Sequence, residues 1–317
     1  MANSPEKLTK NERRQQAREQ ARKAREAERK REKRNRLLLQ GGIVVAVLAV
    51  LVIIGLVVAN SLKPAGPGPK NMASGAVVIG KDLQVVETPA LEPDGTRKGN
   101  NTGFDQKPLP VTVYFDYMCP ACGSFEQQYG QMLEQYTGAG DIQLGLYPIT
   151  FLDPASGGTN YSSRASNVLG CVVEQQPEKT LAYHKMVLSE GVQPTEGGTG
   201  LSDKELIRVA ADAGVDTTKE FKSCVTDRQF VPFAQANTKQ AIERGVLELK
   251  DGETLVGNTQ TGESQEAGEP QRLVSTPLVL VNGKQWNPGV DGDLEAYILK
   301  QLQDLDSAET EGEEPAE

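Results

Sequence analysis

The hydrophobic pattern of the chain begins with one long apolar run and continues as alternating strand and helix signals. In this run, 23 consecutive residues at 37–59 carry no charged side chain. At about 1.5 Å rise per residue, a helix of this length spans the roughly 30 Å hydrocarbon core of a membrane. The run therefore predicts a transmembrane helix over 37–59. A signal peptide cleaved after Ala59 is the alternative, although its apolar region usually has only about 7–15 residues.

The next part of the chain predicts strands on either side of one helix. Residues 111–115 are β-branched or aromatic and favour a strand, and Pro120 stands where a helix can begin. The predicted elements are short strands at 77–79 and 83–86, a polar loop over 87–110, strands at 111–115 and 142–149, and a helix over 120–136 between these two strands.

The second half of the chain predicts a run of helices followed by a hairpin. Asn282 and Gly283 stand between the predicted strands 277–281 and 284–286, which is typical of a two-residue hairpin turn. Helical periodicity is found near 162–175, 178–189, 202–213, 217–225, 228–244 and 291–305. The order is βαβ, a helical insertion at about 160–245, and ββα, which predicts an α/β fold. A right-handed βαβ crossover places the turn that starts the first helix at the carboxyl edge of the sheet.

Charge divides the chain into segments. Residues 1–36 contain 14 Lys/Arg and 6 Asp/Glu, a formal +8, so the total of −9 leaves −17 for the rest. Basic residues before an apolar helix favour a cytoplasmic N-terminus, so we expect a cytoplasmic arm over 1–36 and an extracytoplasmic remainder. We expect this arm to serve as a topology signal and not to bind nucleic acid, because Glu residues are interspersed among its cations; nucleic-acid binding is the alternative. We further expect a flexible Pro- and Gly-rich linker over 60–75, a globular domain over 76–306 and a disordered acidic tail over 307–317.

Two of the four cysteines lie three residues apart at the predicted strand-to-helix junction. The N-terminus of a helix stabilises an anion and lowers a thiol pKa from about 8.5 to roughly 3.5–7.5. Because the thiolate attacks disulfides, we expect Cys119 to be the nucleophile and Cys122 to resolve the mixed disulfide, with Pro120 and Ala121 completing the motif. An inert bridge and half of a zinc site are the alternatives. Zinc would need two more ligands, which this sequence does not place nearby, so we expect no metal.

The other candidate residues are distributed along the domain. Cys171 and Cys224 both fall in the helical insertion, and an exported compartment permits disulfides, so we predict a structural bridge between them. His184 is expected to be a packed or surface histidine rather than a catalytic one. Asp116 is either a proton relay near the cysteines or a residue of the turn after the strand, and the sequence leaves both open.

The run from Val111 to Cys122, together with the later Ser275-Thr276-Pro277, resembles the DsbA-like branch of the thioredoxin superfamily. The resemblance covers roughly 111–303 and extends to the membrane-tethered forms of Gram-positive bacteria. It implies a thioredoxin-like fold with a helical insertion. It also implies that Pro277 is a cis-proline facing the cysteines and that Thr276 offers backbone groups to a substrate strand. Without the resemblance, a proline that simply opens a strand would be preferred.

The sequence departs from that family in two places. Many DsbA enzymes carry a histidine between the cysteines, where it helps to stabilise the thiolate, and here Ala121 replaces it. This leaves the oxidising strength open. The second departure is the polar stretch 250–272, which is an extra loop that either shapes the substrate surface or is disordered.

These features predict a membrane-anchored, extracytoplasmic dithiol oxidase that introduces disulfides into exported proteins. No bound cofactor is implied. The resemblance implies a membrane redox partner of the DsbB or vitamin K epoxide reductase type. An extracytoplasmic reductase or isomerase, for instance one that serves cytochrome maturation, is an alternative with the same residues. A peptide-binding module that has kept the fold without the chemistry is another.

Overall fold

The computed structural model describes residues 66–93, 95–99 and 103–312. The basic arm predicted over 1–36 and the transmembrane helix predicted over 37–59 lie outside these residues. Of the helices within them, none combines the length and the apolar character that crossing a membrane requires.

A five-stranded sheet forms the centre of the domain. Its strands are β1 (Val77–Ile79), β2 (Leu109–Phe115), β3 (Ile142–Pro148), β6 (Leu278–Val281) and β7 (Lys284–Gln285), in the spatial order β1-β3-β2-β6-β7. β2 and β3 pair in parallel, and the other neighbours pair antiparallel. The apolar run of β2 is buried because this strand lies in the middle of the sheet. Its carboxyl end therefore meets the carboxyl end of β3 at one edge.

The helix α1 (Pro120–Ala139) follows β2 directly and crosses to β3. Cys119 precedes it in an extended conformation, and Pro120 occupies the first helical position, where its missing N–H costs nothing. The helix buries Phe125 and Leu133 and ends at Gly140, which adopts a left-handed φ of 87° that glycine accepts readily.

The helical insertion is built around one central helix. This helix is α2 (Tyr161–Gln175), and its residues from Tyr161 to Val173 are all buried, so it is covered on every side. Around it lie α3 (Thr180–Val187), α4 (Asp203–Asp212), α5 (Lys219–Thr226) and α6 (Val231–Lys239), which continues as a π-helical turn over Gln240–Arg244. A capping box between Ser202 and Glu205 sets the start of α4.

The chain closes with the hairpin β6–β7 and two helices. Asn282 and Gly283 form the turn with φ of 54° and 74°, as a two-residue hairpin requires. The helices are α7 (Pro288–Asp291) and α8 (Leu294–Gly312). The segment predicted as a disordered tail from residue 307 therefore begins as a continuation of α8, because its Ala and Glu residues have high helix propensity. Residues 313–317 lie outside the described part.

Three other segments differ from their prediction. Leu83, the first residue of the strand predicted over 83–86, belongs instead to a 3₁₀ turn over Lys81–Leu83. Val85 still makes an isolated bridge to Ile79, and the Val86 N–H donates to the Val78 carbonyl at 2.8 Å. The described part of the predicted linker is packed on the domain, since its backbone is hydrogen-bonded to residues 88 and 91 and buries Met72. The 250–272 stretch contains a small hairpin of β4 (Val256–Asn258) and β5 (Glu263–Ser264).

Candidate active site

The two cysteines of the Cys-Pro-Ala-Cys motif lie at the carboxyl edge of the sheet, where β2 passes into α1. Cys119 is the residue immediately before the helix, and Cys122 lies in its first turn. Both are free thiols in this structure. Cys119 keeps 8% of its surface exposed and Cys122 only 1%. The first sulfur is therefore the one that another molecule can reach.

The surroundings of the two sulfurs move their pKa values in opposite directions. Hydrogen bonding from the Cys122 thiol lowers the pKa of Cys119 to about 6. Partial burial opposes this, while hydrogen bonds from the Thr276 side chain and from the N–H groups of Ala121 and Cys122 add to it. Burial raises the pKa of Cys122 well above its ordinary value, and its hydrogen bond to Cys119 adds to that rise. At neutral pH the pair therefore holds one thiolate, on Cys119, and one thiol, on Cys122.

The rate of alkylation should report the lowered pKa of Cys119 directly. We expect iodoacetamide to modify the reduced protein at Cys119 with a half-maximal rate near pH 6, instead of near the ordinary 9.0. Cys122→Ala removes the principal donor to the thiolate and should move the midpoint upward. A midpoint that is already near 9 in the unmodified protein, or that Cys122→Ala leaves in place, would contradict this account.

The segment predicted to bind substrate lies against the nucleophile. The Thr276–Pro277 peptide bond is cis, and the Cys119 thiol donates to the Thr276 carbonyl at 3.4 Å. That carbonyl can accept only from the protonated thiol, so it works against the lowered pKa, and the thiolate rests on the donors named above. When Cys119 is not protonated, the Thr276 carbonyl is left free to accept from a substrate N–H.

Gln193 holds the cysteine loop from the side of the insertion, a role that no motif in the sequence predicts. Its amide nitrogen donates to the Cys119 carbonyl at 2.8 Å and to the Tyr117 carbonyl at 3.3 Å. Gly123 makes the approach possible, because a Cβ there would lie only 2.0 Å from the Gln193 side-chain oxygen. The helical insertion thus fixes the backbone on which the nucleophile stands.

Asp116 ties the end of β2 to two other elements. Its carboxylate accepts from the Met118 N–H at 2.8 Å, the Leu152 N–H at 2.8 Å and the Ser162 hydroxyl at 2.6 Å. Its backbone N–H, not its carboxylate, faces Cys122, at 3.5 Å from the sulfur. Burial raises the pKa of this carboxyl to about 6 against the opposing effect of those donors. The contacts are those of a structural clamp and do not include a proton path to either sulfur.

Asp116→Asn should destabilise the fold by about 1–3 kcal/mol, because the new amide nitrogen must face a donor. The pKa of the wild-type carboxyl is raised from 3.8 to about 6 by folding. Its contribution to the free energy of unfolding is therefore fully present below pH 3.8 and is lost as the pH rises through 6. The stability difference between the two proteins should therefore shrink over that range in denaturant titrations. Asp212→Asn, at an exposed position of α4, is the matched control. Equal effects of the two substitutions would refute the clamp.

His184 is buried in the insertion and belongs to a polar chain that starts at the cysteine loop. Its Nδ1 lies 3.4 Å from the Tyr117 hydroxyl, and its Nε2 lies 3.3 Å from a Glu126 carboxylate oxygen. Its ring packs edge-on against Phe115. The histidine therefore has partners on both nitrogens. It is linked to the cysteine loop through Tyr117, which lies two residues before Cys119.

The remaining cysteines are joined to each other. Cys171 in α2 and Cys224 in α5 form a disulfide with a Cα–Cα distance of 6.0 Å. Among the described residues, no group of three or more His, Cys, Asp or Glu side chains is arranged to hold a metal ion.

Comparison with known families agrees with this arrangement. Residues 80–248, more than half of the 317-residue chain, match the family model described as thioredoxin. The chain belongs to the thioredoxin family. The match begins just after β1 and runs through β2, the cysteine motif, β3 and the helical insertion.

Other thioredoxin-family proteins resemble the chain over different spans. The structure superposes on reduced DsbG, a disulfide bond oxidoreductase from Mycobacterium tuberculosis, with a TM-score of 0.50 and 21% identity over 79% of this chain and 97% of that one. DsbA from the same organism gives 0.49 and 21% identity over 75% and 98%. At 21% identity the likeness to DsbG shows the fold alone.

A curated relative is the serine/threonine-protein kinase PknE of Mycobacterium tuberculosis, 29% identical over 145 residues. The match covers 44% of this chain and 25% of the kinase, so the chain spans about a quarter of that relative's length.

The predicted membership of the thioredoxin superfamily is confirmed by the family match. So is the α/β fold class with its helical insertion. The DsbG neighbour is itself a disulfide bond oxidoreductase.

Proposed function

We propose that this thioredoxin-family protein is an extracytoplasmic dithiol oxidase that introduces disulfides into exported proteins. The observation that carries the proposal is the opposite displacement of the two cysteine pKa values, with Cys119 lowered to about 6 and Cys122 raised. A stabilised Cys119 thiolate favours the reduced enzyme. The Cys119–Cys122 disulfide is then the stronger oxidant.

The reaction would proceed in two exchanges. A substrate thiolate attacks the sulfur of Cys119, a bond forms between them, and Cys122 leaves as a thiolate that takes up a proton because its pKa is raised. A second substrate thiolate then attacks the substrate sulfur of this mixed disulfide. Cys119 leaves as the stable thiolate, the substrate is released as a disulfide, and the enzyme has gained two electrons. A low leaving-group pKa speeds this second exchange.

The surroundings of Cys119 support an extended substrate. The Thr276 carbonyl lies beside the reacting sulfur and would accept an N–H from a substrate strand, while Gln193 keeps the cysteine loop in position. Exported proteins are the proposed substrates, and the proposed location is the outer side of the cell membrane, with residues 37–59 as the anchor and 1–36 in the cytoplasm. A membrane protein of the DsbB or vitamin K epoxide reductase type is the proposed acceptor of the two electrons.

The reduction potential tests the direction of the reaction. The full-length chain is equilibrated in glutathione buffers of graded ratio, and the free thiol of Cys119 is trapped by alkylation. We expect a potential well above the roughly −270 mV of thioredoxin. Cys119→Ser cannot form the motif disulfide, and the Cys171–Cys224 bridge lies outside the motif. This variant should therefore show no transition in this range. A potential near that of thioredoxin would make the protein a reductase.

A further inference from the structure

The two residues between the cysteines offer no side chain that could stabilise the Cys119 thiolate. Pro120 and Ala121 carry neither a charge nor a hydrogen-bond donor on their side chains. The donors come instead from the backbone at the start of α1, from Thr276 and from the Cys122 thiol. The strength of the pair as an oxidant therefore depends on how far these donors are left to the sulfur.

The backbone carbonyl of Cys119 competes with the Cys119 sulfur for one of these donors. This carbonyl accepts from the Cys122 N–H at 3.0 Å and from the Gly123 N–H at 3.2 Å. The Cys122 N–H is also one of the groups that lower the pKa of Cys119. One N–H is thus shared between an oxygen and a sulfur, so a further donor to the carbonyl leaves more of this N–H to the thiolate.

Gln193 supplies that further donor from the helical insertion. Its amide nitrogen donates to the Cys119 carbonyl at 2.8 Å, which is shorter than either of the two backbone bonds to the same oxygen. The same nitrogen donates to the Tyr117 carbonyl at 3.3 Å. The positive end of the amide dipole therefore faces two carbonyl oxygens of the cysteine loop. Both effects favour the thiolate form of Cys119 over its thiol.

The position of the Gln193 amide is fixed by contacts on two sides. Its backbone N–H donates to the Ser189 carbonyl at 3.1 Å, in the turn that follows α3. Its side chain lies over the first turn of α1, where the glycine at position 123 admits it, because a Cβ there would lie 2.0 Å from Gln193 Oε1. The donor is therefore in place before a substrate arrives, which makes it effective without rearrangement.

From these contacts we propose that Gln193 is a positioning residue, through which the helical insertion raises the oxidising strength of the Cys119–Cys122 pair. It acts through the backbone of the cysteine loop. The inference rests on the proposed oxidase function, since it concerns the same two sulfurs. It predicts a difference between variants, whereas the proposed function predicts the absolute potential of the wild type, so the two can fail separately.

Gln193→Met tests the inference, because it keeps the length of the side chain and removes the amide. In the full-length chain we expect the half-maximal rate of Cys119 alkylation to move from about pH 6 to about pH 6.5–7. At pH 7 the equilibrium constant with glutathione should become roughly three- to fivefold less oxidising, or about 15–20 mV. Gln193→Glu turns an anionic group toward the loop, so its midpoint should lie higher still. An unchanged midpoint and an unchanged equilibrium constant in Gln193→Met would overturn the inference.

The matched control removes another glutamine of the insertion that makes the same number of side-chain hydrogen bonds. Gln176 donates to the Asp216 carbonyl at 2.9 Å and accepts from the Asp216 N–H at 2.7 Å, so both of its bonds stay within the insertion. Gln176→Met should leave the alkylation midpoint and the glutathione equilibrium at their wild-type values. A shift as large as that of Gln193→Met would assign the effect to a general loosening of the insertion and would also overturn the inference.

A second variant displaces the amide and leaves Gln193 in the chain. Gly123→Ala puts a Cβ where Gln193 Oε1 lies, so the flexible side chain must move away, while alanine itself favours the helix more than glycine does. We expect its alkylation midpoint to rise as in Gln193→Met. Gly138→Ala is the control on the same helix, because a Cβ there would lie 3.6 Å from its nearest neighbour, Leu83. A wild-type midpoint in Gly123→Ala, or an equal rise in Gly138→Ala, would contradict the inference.

Discussion

Substitution of Cys119 by serine is expected to abolish the oxidation of a reduced test protein, lowering the rate by at least about three orders of magnitude. The reason is that the hydroxyl that replaces the thiol cannot form a disulfide with Cys122 or with a substrate. The measurement is the loss of free thiols in a reduced, unfolded test protein mixed with the oxidised full-length chain. A retained rate would show that the fold is used for something other than thiol exchange.

Substitution of Cys122 by serine separates the roles of the two sulfurs. A substrate disulfide attacked by Cys119 would then remain as a mixed disulfide, because the resolving thiol is missing. We expect this species on non-reducing gels with Cys122→Ser and not with Cys119→Ser. Ala121→Ser, at the exposed position between the cysteines, keeps both sulfurs and should retain the wild-type rate within a fewfold. Trapping at Cys122 in place of Cys119 would reverse the assignment.

Removal of the Cys171–Cys224 bridge is the second change with a large expected effect. The disulfide joins residues 53 positions apart, and the chain-entropy model gives a loss of about 4 kcal/mol for a loop of this length. The double variant Cys171→Ala/Cys224→Ala should therefore unfold at lower denaturant concentration than the wild type. At roughly 2–4 °C per kcal/mol, its Tm should fall by about 8–16 °C.

The matched control for this prediction removes the other pair. Cys119→Ala/Cys122→Ala also removes two buried sulfurs. A disulfide between Cys119 and Cys122, however, closes a loop with only Pro120 and Ala121 inside it. We expect its stability to change much less. Equal losses in the two double variants would mean that the insertion is held by packing alone and that the long loop contributes nothing.

Much of the fold could be predicted because the strands and helices carry strong local signals. The β-branched run of β2, the proline that starts α1 and the Asn282–Gly283 turn each specify one backbone conformation. The segment 83–86 was harder, since Leu83 and Val85 are apolar at alternate positions, as in a strand. Its backbone instead makes a 3₁₀ turn before one bridge to β1, and sequence alternation does not distinguish these outcomes.

The same reasoning explains which site residues could be foreseen. Cys119 and Cys122 are marked by their spacing at a strand-to-helix junction. Gln193 and Glu126 have no such mark, because a polar residue in a loop or on a helix is ordinary, and their roles arise from contacts between the thioredoxin core and the insertion. The sequence does not decide between the two roles of Asp116, because only the folded structure shows where its carboxylate points.

The bridge between the segment 85–86 and β1 matters if the protein acts on unfolded chains, as proposed above. An open sheet edge is a template for strand addition, and an unfolded client is a source of free strands. Here the outer side of β1 is occupied by the Val86–Val78 hydrogen bond and the Ile79–Val85 bridge, while the opposite edge is the two-residue β7, which begins with a lysine. Both edges of the sheet are therefore poor templates for strand addition, which would protect an oxidase of the proposed kind from co-aggregating with its substrates.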